Sequence, residues 1–252
     1  MFSYYSNLCT EVYDLTKPVG HSIGGDIEYY LDRLQSCSGR ILEAAVGSGR
    51  MLIPLLEAGL LVDGIDYSPA MLASCHKRCE ERNLKPMLYE GELQNFALPH
   101  KYDAIVIPTG SFCLIDNRQD SINALTCFYE HLTPGGRVII DLILPERMKI
   151  GTISTSTFTF PSGDVITVED KLVEFNMIHQ YSVSYLKYEK WREGSLIQSE
   201  LQRFALRWYG IEEFKLVLEN IGFSDIVCST DYVYGKQPTD GSQTFTFEAV
   251  RK

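Results

Sequence analysis

Arg40-Ile41-Leu42-Glu43-Ala44-Ala45-Val46-Gly47-Ser48-Gly49 reads as a short apolar strand running into a turn with a small residue at 45, 47 and 49. Such a turn lets a ligand approach the backbone closely, since no large side chain intervenes. It also aims the free N–H groups of the next helix at that ligand. The next apolar run, Leu60-Leu61-Val62-Asp63-Gly64-Ile65, ends on Asp66, 17 residues after Gly49. An acid at that place can accept hydrogen bonds from both hydroxyls of a ribose. The dinucleotide pattern G-x-G-x-x-G would need a third glycine at 52, where Leu52 stands. Glu43 would repel a pyrophosphate, whereas it suits a cationic ligand.

Outward from this turn, short apolar runs alternate with amphipathic stretches from 38 to 148. Further runs are Lys85-Pro86-Met87-Leu88-Tyr89, Ala104-Ile105-Val106-Ile107 and Arg137-Val138-Ile139-Ile140-Asp141-Leu142. Helices are expected near 50–58, 69–83 and 118–132, with Pro54 in a first turn and Ser68-Pro69 as N-cap and N1. This alternation predicts an α/β fold, an open parallel sheet with helices on both faces. From 152 to 208 Thr, Val and aromatics dominate, and Pro161-Ser162-Gly163-Asp164 and Glu193-Gly194-Ser195 mark turns. That segment reads as an antiparallel β insertion of about four strands. A helix at 210–221 ends at Gly222, and strands Ser224–Ser229 and Gln243–Arg251 close the chain. The organisation expected is a core of 1–151 with 209–252, and an insertion at 152–208 serving as substrate cover or dimer contact.

Composition sets outer bounds. The chain has 252 residues, 45% hydrophobic, with a formal net charge of −10 and pI about 5.0. Lys/Arg residues form no cluster larger than a pair such as Lys77-Arg78, which argues against nucleic acid or an anionic membrane as a partner. No run reaches the roughly 18 apolar residues of a membrane helix. The opening Met1-Phe2-Ser3-Tyr4-Tyr5-Ser6-Asn7 has no basic or apolar leader signature. Seven cysteines at irregular spacing are expected as free thiols of a cytoplasmic protein. Cys75-His76-Lys77-Arg78-Cys79 lacks a second Cys/His pair at zinc spacing, so no metal is expected.

The segment 38–148 resembles the class I S-adenosylmethionine (SAM)-dependent methyltransferases, with weaker similarity from 210 onward. Glu43–Gly49 is similar to the family's first motif, and Gly64-Ile65-Asp66-Tyr67-Ser68-Pro69-Ala70-Met71-Leu72 to its second. Glu90-Gly91-Glu92-Leu93 stands where the family often has Gly-Asp against adenine. Lys101–Val106 resembles its fourth strand and Leu132-Thr133-Pro134-Gly135-Gly136 the turn before its fifth. Ala45 departs from the usual glycine, and Glu92 from the usual Asp. The resemblance implies a Rossmann-like doubly wound sheet of order 3-2-1-4-5-7-6 whose last strand is antiparallel. It implies SAM as cofactor, bound by Glu43, Ala45, Gly47, Gly49, Asp66, Tyr67, Glu92, Leu93 and Pro108. The placement of the insertion and the opening Tyr13-Asp14 resemble small-molecule N-methyltransferases.

A methyl acceptor need only be held in line with the sulfonium, so a base is optional. Candidates are Tyr13, in an N-terminal segment able to close over the site, and His179, expected on a strand of the insertion. His131 is expected on a helix surface. Phe112, beyond the fourth strand, either borders the methyl group or packs the core. Tyr181 and Tyr185 share a strand face by the two-residue period and either wall the acceptor or pack the insertion. The function expected is methyl transfer to a small-molecule N or O nucleophile, with a homodimer left open. The rivals are a SAM-binding protein without catalysis and an NAD(P)-dependent oxidoreductase.

Overall fold

The computed structural model describes residues 2, 4–145 and 149–252. Helices α1 (Asn7–Thr16) and α2 (Asp26–Leu34) precede β1 (Ile41–Ala44), α3 (Leu52–Glu57), β2 (Val62–Asp66), α4 (Pro69–Glu80), β3 (Leu88–Glu90) and β4 (Tyr102–Ile107). A 3-10 turn (Ser111–Leu114), α5 (Arg118–His131) and β5 (Leu132–Leu142) complete the alternation. Four inserted strands follow, β6 (Ile153–Thr159), β7 (Val165–Asn176), β8 (Tyr181–Arg192) and β9 (Ser195–Arg207). Then come α6 (Ile211–Ile221), β10 (Phe223–Thr230) and β11 (Phe245–Arg251).

The main sheet is seven-stranded in the order β3-β2-β1-β4-β5-β11-β10. Passing over the four inserted strands, this is the expected 3-2-1-4-5-7-6. β1 through β5 pair in parallel, and β11 runs antiparallel to β5 and to β10. Strand side chains alternate faces. Leu42, Ile105, Val138 and Ile140 pack with Phe128 of α5 and Phe214 of α6. Their neighbours Ile41, Ala104, Val106 and Ile139 pack against Tyr30 of α2, Ile53 of α3 and Cys75 of α4 on the opposite face. Each fully buried Leu, Ile or Phe contributes about 1.5–3 kcal/mol, so helices cover both faces. Local signals fix where they start and stop. Ser68 Oγ accepts the Met71 N–H at 3.2 Å ahead of α4, and Asn117 Oδ1 accepts the Gln119 and Asp120 N–H groups at 2.8 and 3.1 Å ahead of α5. Gly222 ends α6 with φ +118°, where a Cβ would meet Tyr129 at 3.2 Å.

Two local expectations change. The Thr133–Gly136 turn lies inside β5: Tyr102 faces Leu132, then Ala104 faces Arg137, so the ladder slips around the glycines. His131 is 8% exposed rather than on the surface. Its Nε2 accepts the Leu98 N–H at 3.2 Å, and Nδ1 lies 2.8 Å from the Cys127 carbonyl. Capping two backbone groups draws the ring inward.

The inserted strands form a separate antiparallel sheet, β6-β7-β8-β9. Ile166 of β7 and Tyr188 of β8 pack with Leu8 and Cys9 of α1 and Met71 of α4. The second sheet therefore holds the N-terminal helix against the main one. Among the described residues no helix is long and apolar enough to cross a membrane.

Candidate active site

Beyond β1 the backbone turns left-handed at Ala45 (φ +58°), Gly47 (+54°) and Gly49 (+82°). Ala45 carries the steric cost of that conformation, about 1–2 kcal/mol. The two glycines have different surroundings. A Cβ at Gly49 would lie 2.8 Å from Cys75 Sγ and 3.3 Å from Ile53 Cδ1, so that glycine is required by packing. A Cβ at Gly47 would meet nothing within 4 Å. Gly47 presents bare backbone to a cavity of about 440 Å³.

Asp66 closes β2 beside it. Its Oδ2 accepts the Gly47 N–H and its Oδ1 the Ser68 N–H, each at 2.8 Å. Burial raises its pKa, and these N–H groups hold it back. The loop after β3 adds Glu92 and Leu93 to the cavity wall, with Glu92 Oε2 accepting from Gln94 Nε2 at 3.0 Å. The loop after β4 adds Thr109, a β-branched residue at φ +53°. Its N–H donates to buried Asp141 Oδ2 at 2.7 Å, which fixes that strained turn. Burial pushes Asp141 up to about 6, opposed by the hydrogen bonds from Thr246, Thr109 and Tyr232.

Glu43 lies behind the turn, 2% exposed. Its Oε2 is buried without a hydrogen-bond partner among the described residues. Burial pushes this carboxyl up to about 8; Arg50 opposes the rise, and Asp26 and Asp66 add to it. Arg50 is committed elsewhere: its Nη2 lies 2.5 Å from Asp26 Oδ2, and Nη1 donates to the His21 carbonyl at 2.7 Å. Tyr13 and Lys17 reach the cavity from α1 and its C-terminal end. Burial raises the Tyr13 hydroxyl's pKa and lowers that of the Lys17 ammonium. The residues therefore fit SAM. The open space over Gly47 is a cradle that a Cβ would fill, Asp66 is an acceptor beside it, and the orphaned Glu43 oxygen can receive an ammonium.

Tyr13, Ala45, Gly47, Asp66, Tyr67, Glu92 and Leu93 thus come together at one cavity. Other expected residues do not line it. Pro108 is buried behind Thr109, and its carbonyl accepts the Ser111 N–H at 3.2 Å. Phe112 is 1% exposed and packs edge-on to Phe214, with ring centroids 5.6 Å apart, so it is a core residue. His179 is exposed in the turn between β7 and β8 rather than on a strand, with its N–H on Asn176 Oδ1 at 2.9 Å. Tyr181 donates to Glu174 at 2.5 Å, and Tyr185 packs at a tilt against Phe2 with centroids 5.0 Å apart. The reason is parity. Opposed residues of an antiparallel ladder share a face, and Ser182 and Ser184 oppose Leu206 and Phe204. Leu206 and Phe204 line the cavity, so the odd-numbered tyrosines of β8 face the other way.

Phe204, Leu206, Lys17, Asp116 and Asp120 are wall residues that the sequence reading did not single out, whereas Thr109 belongs to the segment beyond the fourth strand expected at the ligand. Asp116-Asn117 carried a usable signal, since Asn117 is a helix cap. Phe204 and Leu206 carried none without the strand register.

A family model described as a methyltransferase domain matches residues 41–136. The putative methyltransferase YqeM of Bacillus subtilis is 25% identical over 217 residues, 84% of each chain. Glycine/sarcosine N-methyltransferase of Halorhodospira halochloris is 36% identical over 104 residues, 40% of this chain and 39% of that one. Among solved structures, the sugar N-methyltransferase KedS8 from Streptoalloteichus sp ATCC 53650 superposes with a TM-score of 0.75 at 20% identity, over 100% of this chain and 94% of that one.

Proposed function

We propose that the chain is a class I SAM-dependent methyltransferase that methylates a nitrogen of a small molecule. The observation that carries this reading is the bare backbone of Gly47 facing the cavity beside Asp66, with the orphaned Glu43 carboxyl buried behind the same turn. When bound, SAM supplies a methyl group already activated on a sulfonium. Asp66 receives the ribose hydroxyls with the lone pairs its two N–H contacts leave free. Glu43 receives the ammonium of the methionine moiety. Lys17, the one cation on the cavity wall among the described residues, receives the carboxylate. Glu92 and Leu93 flank the adenine. The protein's part in the reaction is positioning, which can contribute about 7–11 kcal/mol.

A nitrogen acceptor is favoured by the relatives, since one of them methylates glycine and sarcosine. It is also favoured by the walls, where Asp66, Glu92, Asp116 and Asp120 face a single lysine. Tyr13 reaches the cavity, but burial raises its hydroxyl's pKa and so keeps the phenol protonated; its role is to hold the acceptor by a hydrogen bond rather than to take its proton. The test is calorimetric titration with S-adenosylhomocysteine (SAH) and with NADH, followed by assay of SAH formation from SAM with small amines, phenols and carboxylates. SAH binding with turnover on amines is expected; NADH binding in place of SAH, or SAH binding without turnover on any amine, would overturn the proposal.

A further inference from the structure

A second cavity, of about 210 Å³, opens between β9 and the N-terminal segment. It shares Tyr4, Tyr5, Leu114, Asp116 and Phe204 with the larger one, so a molecule can extend from one into the other. Resting on the methyltransferase reading, we propose that this second cavity holds the non-reacting end of the methyl acceptor. It selects hydroxyl or amino hydrogen-bond donors over phosphate.

Gln202 carries the argument. It lines this cavity, is 1% exposed, and its Oε1 is buried without a hydrogen-bond partner among the described residues. A buried amide oxygen left in that state is destabilising. Gln202 faces Leu186 across the β8–β9 ladder, where an apolar side chain would continue the packing. An amide there is explained by a ligand that donates to it. Asp116, on the shared wall, offers a second acceptor, because Arg203 Nη2 engages its Oδ2 at 2.7 Å and leaves Oδ1.

Charge and size narrow the ligand further. The acids of the two walls are Asp66, Glu92, Asp116 and Asp120, against Lys17 and an Arg203 already paired with Asp116. A phosphate would meet more repulsion than attraction here. The larger cavity's 440 Å³ lies within the roughly 300–1,000 Å³ of a small-molecule site, where the cofactor and the acceptor's reacting nitrogen would meet. The second cavity's 210 Å³ suits the hydroxyl-bearing end of a small amino alcohol or amino sugar.

The experiment titrates SAH-saturated protein with ethanolamine and glucosamine, and with phosphoethanolamine and glucosamine 6-phosphate. It is repeated on Gln202→Leu, whose melting temperature should equal or exceed that of the parent because an orphaned polar group is removed. Binding of at least one unphosphorylated amine is expected, at least tenfold weaker in Gln202→Leu with SAH affinity unchanged, and at least tenfold weaker for the phosphate esters. Amine affinity that survives Gln202→Leu, phosphate esters that bind as well as their parents, or no amine binding at all would overturn the proposal. Failure of SAH to bind the parent protein would instead remove the methyltransferase reading, and the pocket assignment with it.

Discussion

Asp66 accepts the backbone N–H of Gly47 at 2.8 Å, which joins the end of β2 to the turn after β1. The carboxylate proposed to receive the ribose therefore also sets the turn that the ribose would lie beside. Asp66→Ala removes both functions. A charged hydrogen bond is worth about 1.5–3 kcal/mol, so SAH affinity should fall roughly 10- to 150-fold, and the melting temperature should fall because the Gly47 N–H loses its partner. Calorimetry and thermal melting read the two effects separately; unchanged SAH affinity would sink the ribose assignment.

The two glycines of the turn should respond differently to alanine. Gly47→Ala adds a left-handed alanine, at about 1–2 kcal/mol, and its Cβ enters the cavity without touching protein. The variant should fold and bind SAH at least tenfold more weakly. Gly49→Ala adds the same strain together with a contact 2.8 Å from Cys75 Sγ. It should lose more stability than Gly47→Ala in urea unfolding. Equal stabilities, or full SAH affinity in Gly47→Ala, would contradict the cradle.

Glu43 gives a pH dependence with a defined sign. Its carboxyl titrates near about 4.3 in an unfolded chain and at about 8 in the folded protein. Between those values the unfolded chain has lost the proton that the folded one keeps, so Glu43's contribution to stability falls as pH rises through that window. An ammonium beside the carboxyl favours its ionised form. Binding must then expel a proton, and SAH affinity should climb from about pH 6 to about pH 8, by as much as about tenfold per unit. Above that range Glu43 is already ionised in the unbound protein, no proton need be expelled, and the gain ends. Glu43→Gln should flatten the profile; an unchanged slope would place the ammonium elsewhere.

The parallel sheet and its turn could be read from the chain because their determinants are local. The apolar alternation, Ser68-Pro69 and the spacing from Gly49 to Asp66 each lie within a few dozen residues. The far wall is set by non-local pairing. Which face of β8 meets the cavity depends on the ladder irregularity between Leu172 and Glu174 and on the length of the turn before Tyr181. That turn is Met177-Ile178-His179-Gln180, whose Met177 and Ile178 are 65% and 87% exposed. Two apolar residues at a hairpin tip read as strand, which put His179 on a strand and concealed where β8 begins. Phe112 misled for a different reason: a strand's carboxyl end lies at the cavity, but a side chain there can still point into the core, as Phe112 does toward Phe214.

Parity on the inserted sheet yields the last prediction. Phe204 and Leu206 line the cavity, while Tyr181 engages Glu174 on the other side and Tyr185 packs on Phe2 at the second cavity's wall. An aromatic wall contributes mainly by burying acceptor surface, at about 25 cal/mol per Å², so truncating Phe204 should weaken the acceptor rather than the cofactor. With an amine substrate in hand, Phe204→Ala should raise the acceptor's KM at least tenfold with SAH affinity within about twofold of the parent. Tyr181→Ala should leave both values near those of the parent, because the tyrosine is partly exposed and its partner Glu174 lines neither cavity; Tyr185→Ala should act less than Phe204→Ala, since Tyr185 reaches the second cavity only through Phe2. Circular dichroism and melting temperature must first show that Phe204→Ala is folded; Leu206→Ala is the second variant if it is not. Turnover that survives Phe204→Ala and Leu206→Ala but collapses in the tyrosine variants would reverse the facing of β8 and place the acceptor on the opposite side of the inserted sheet.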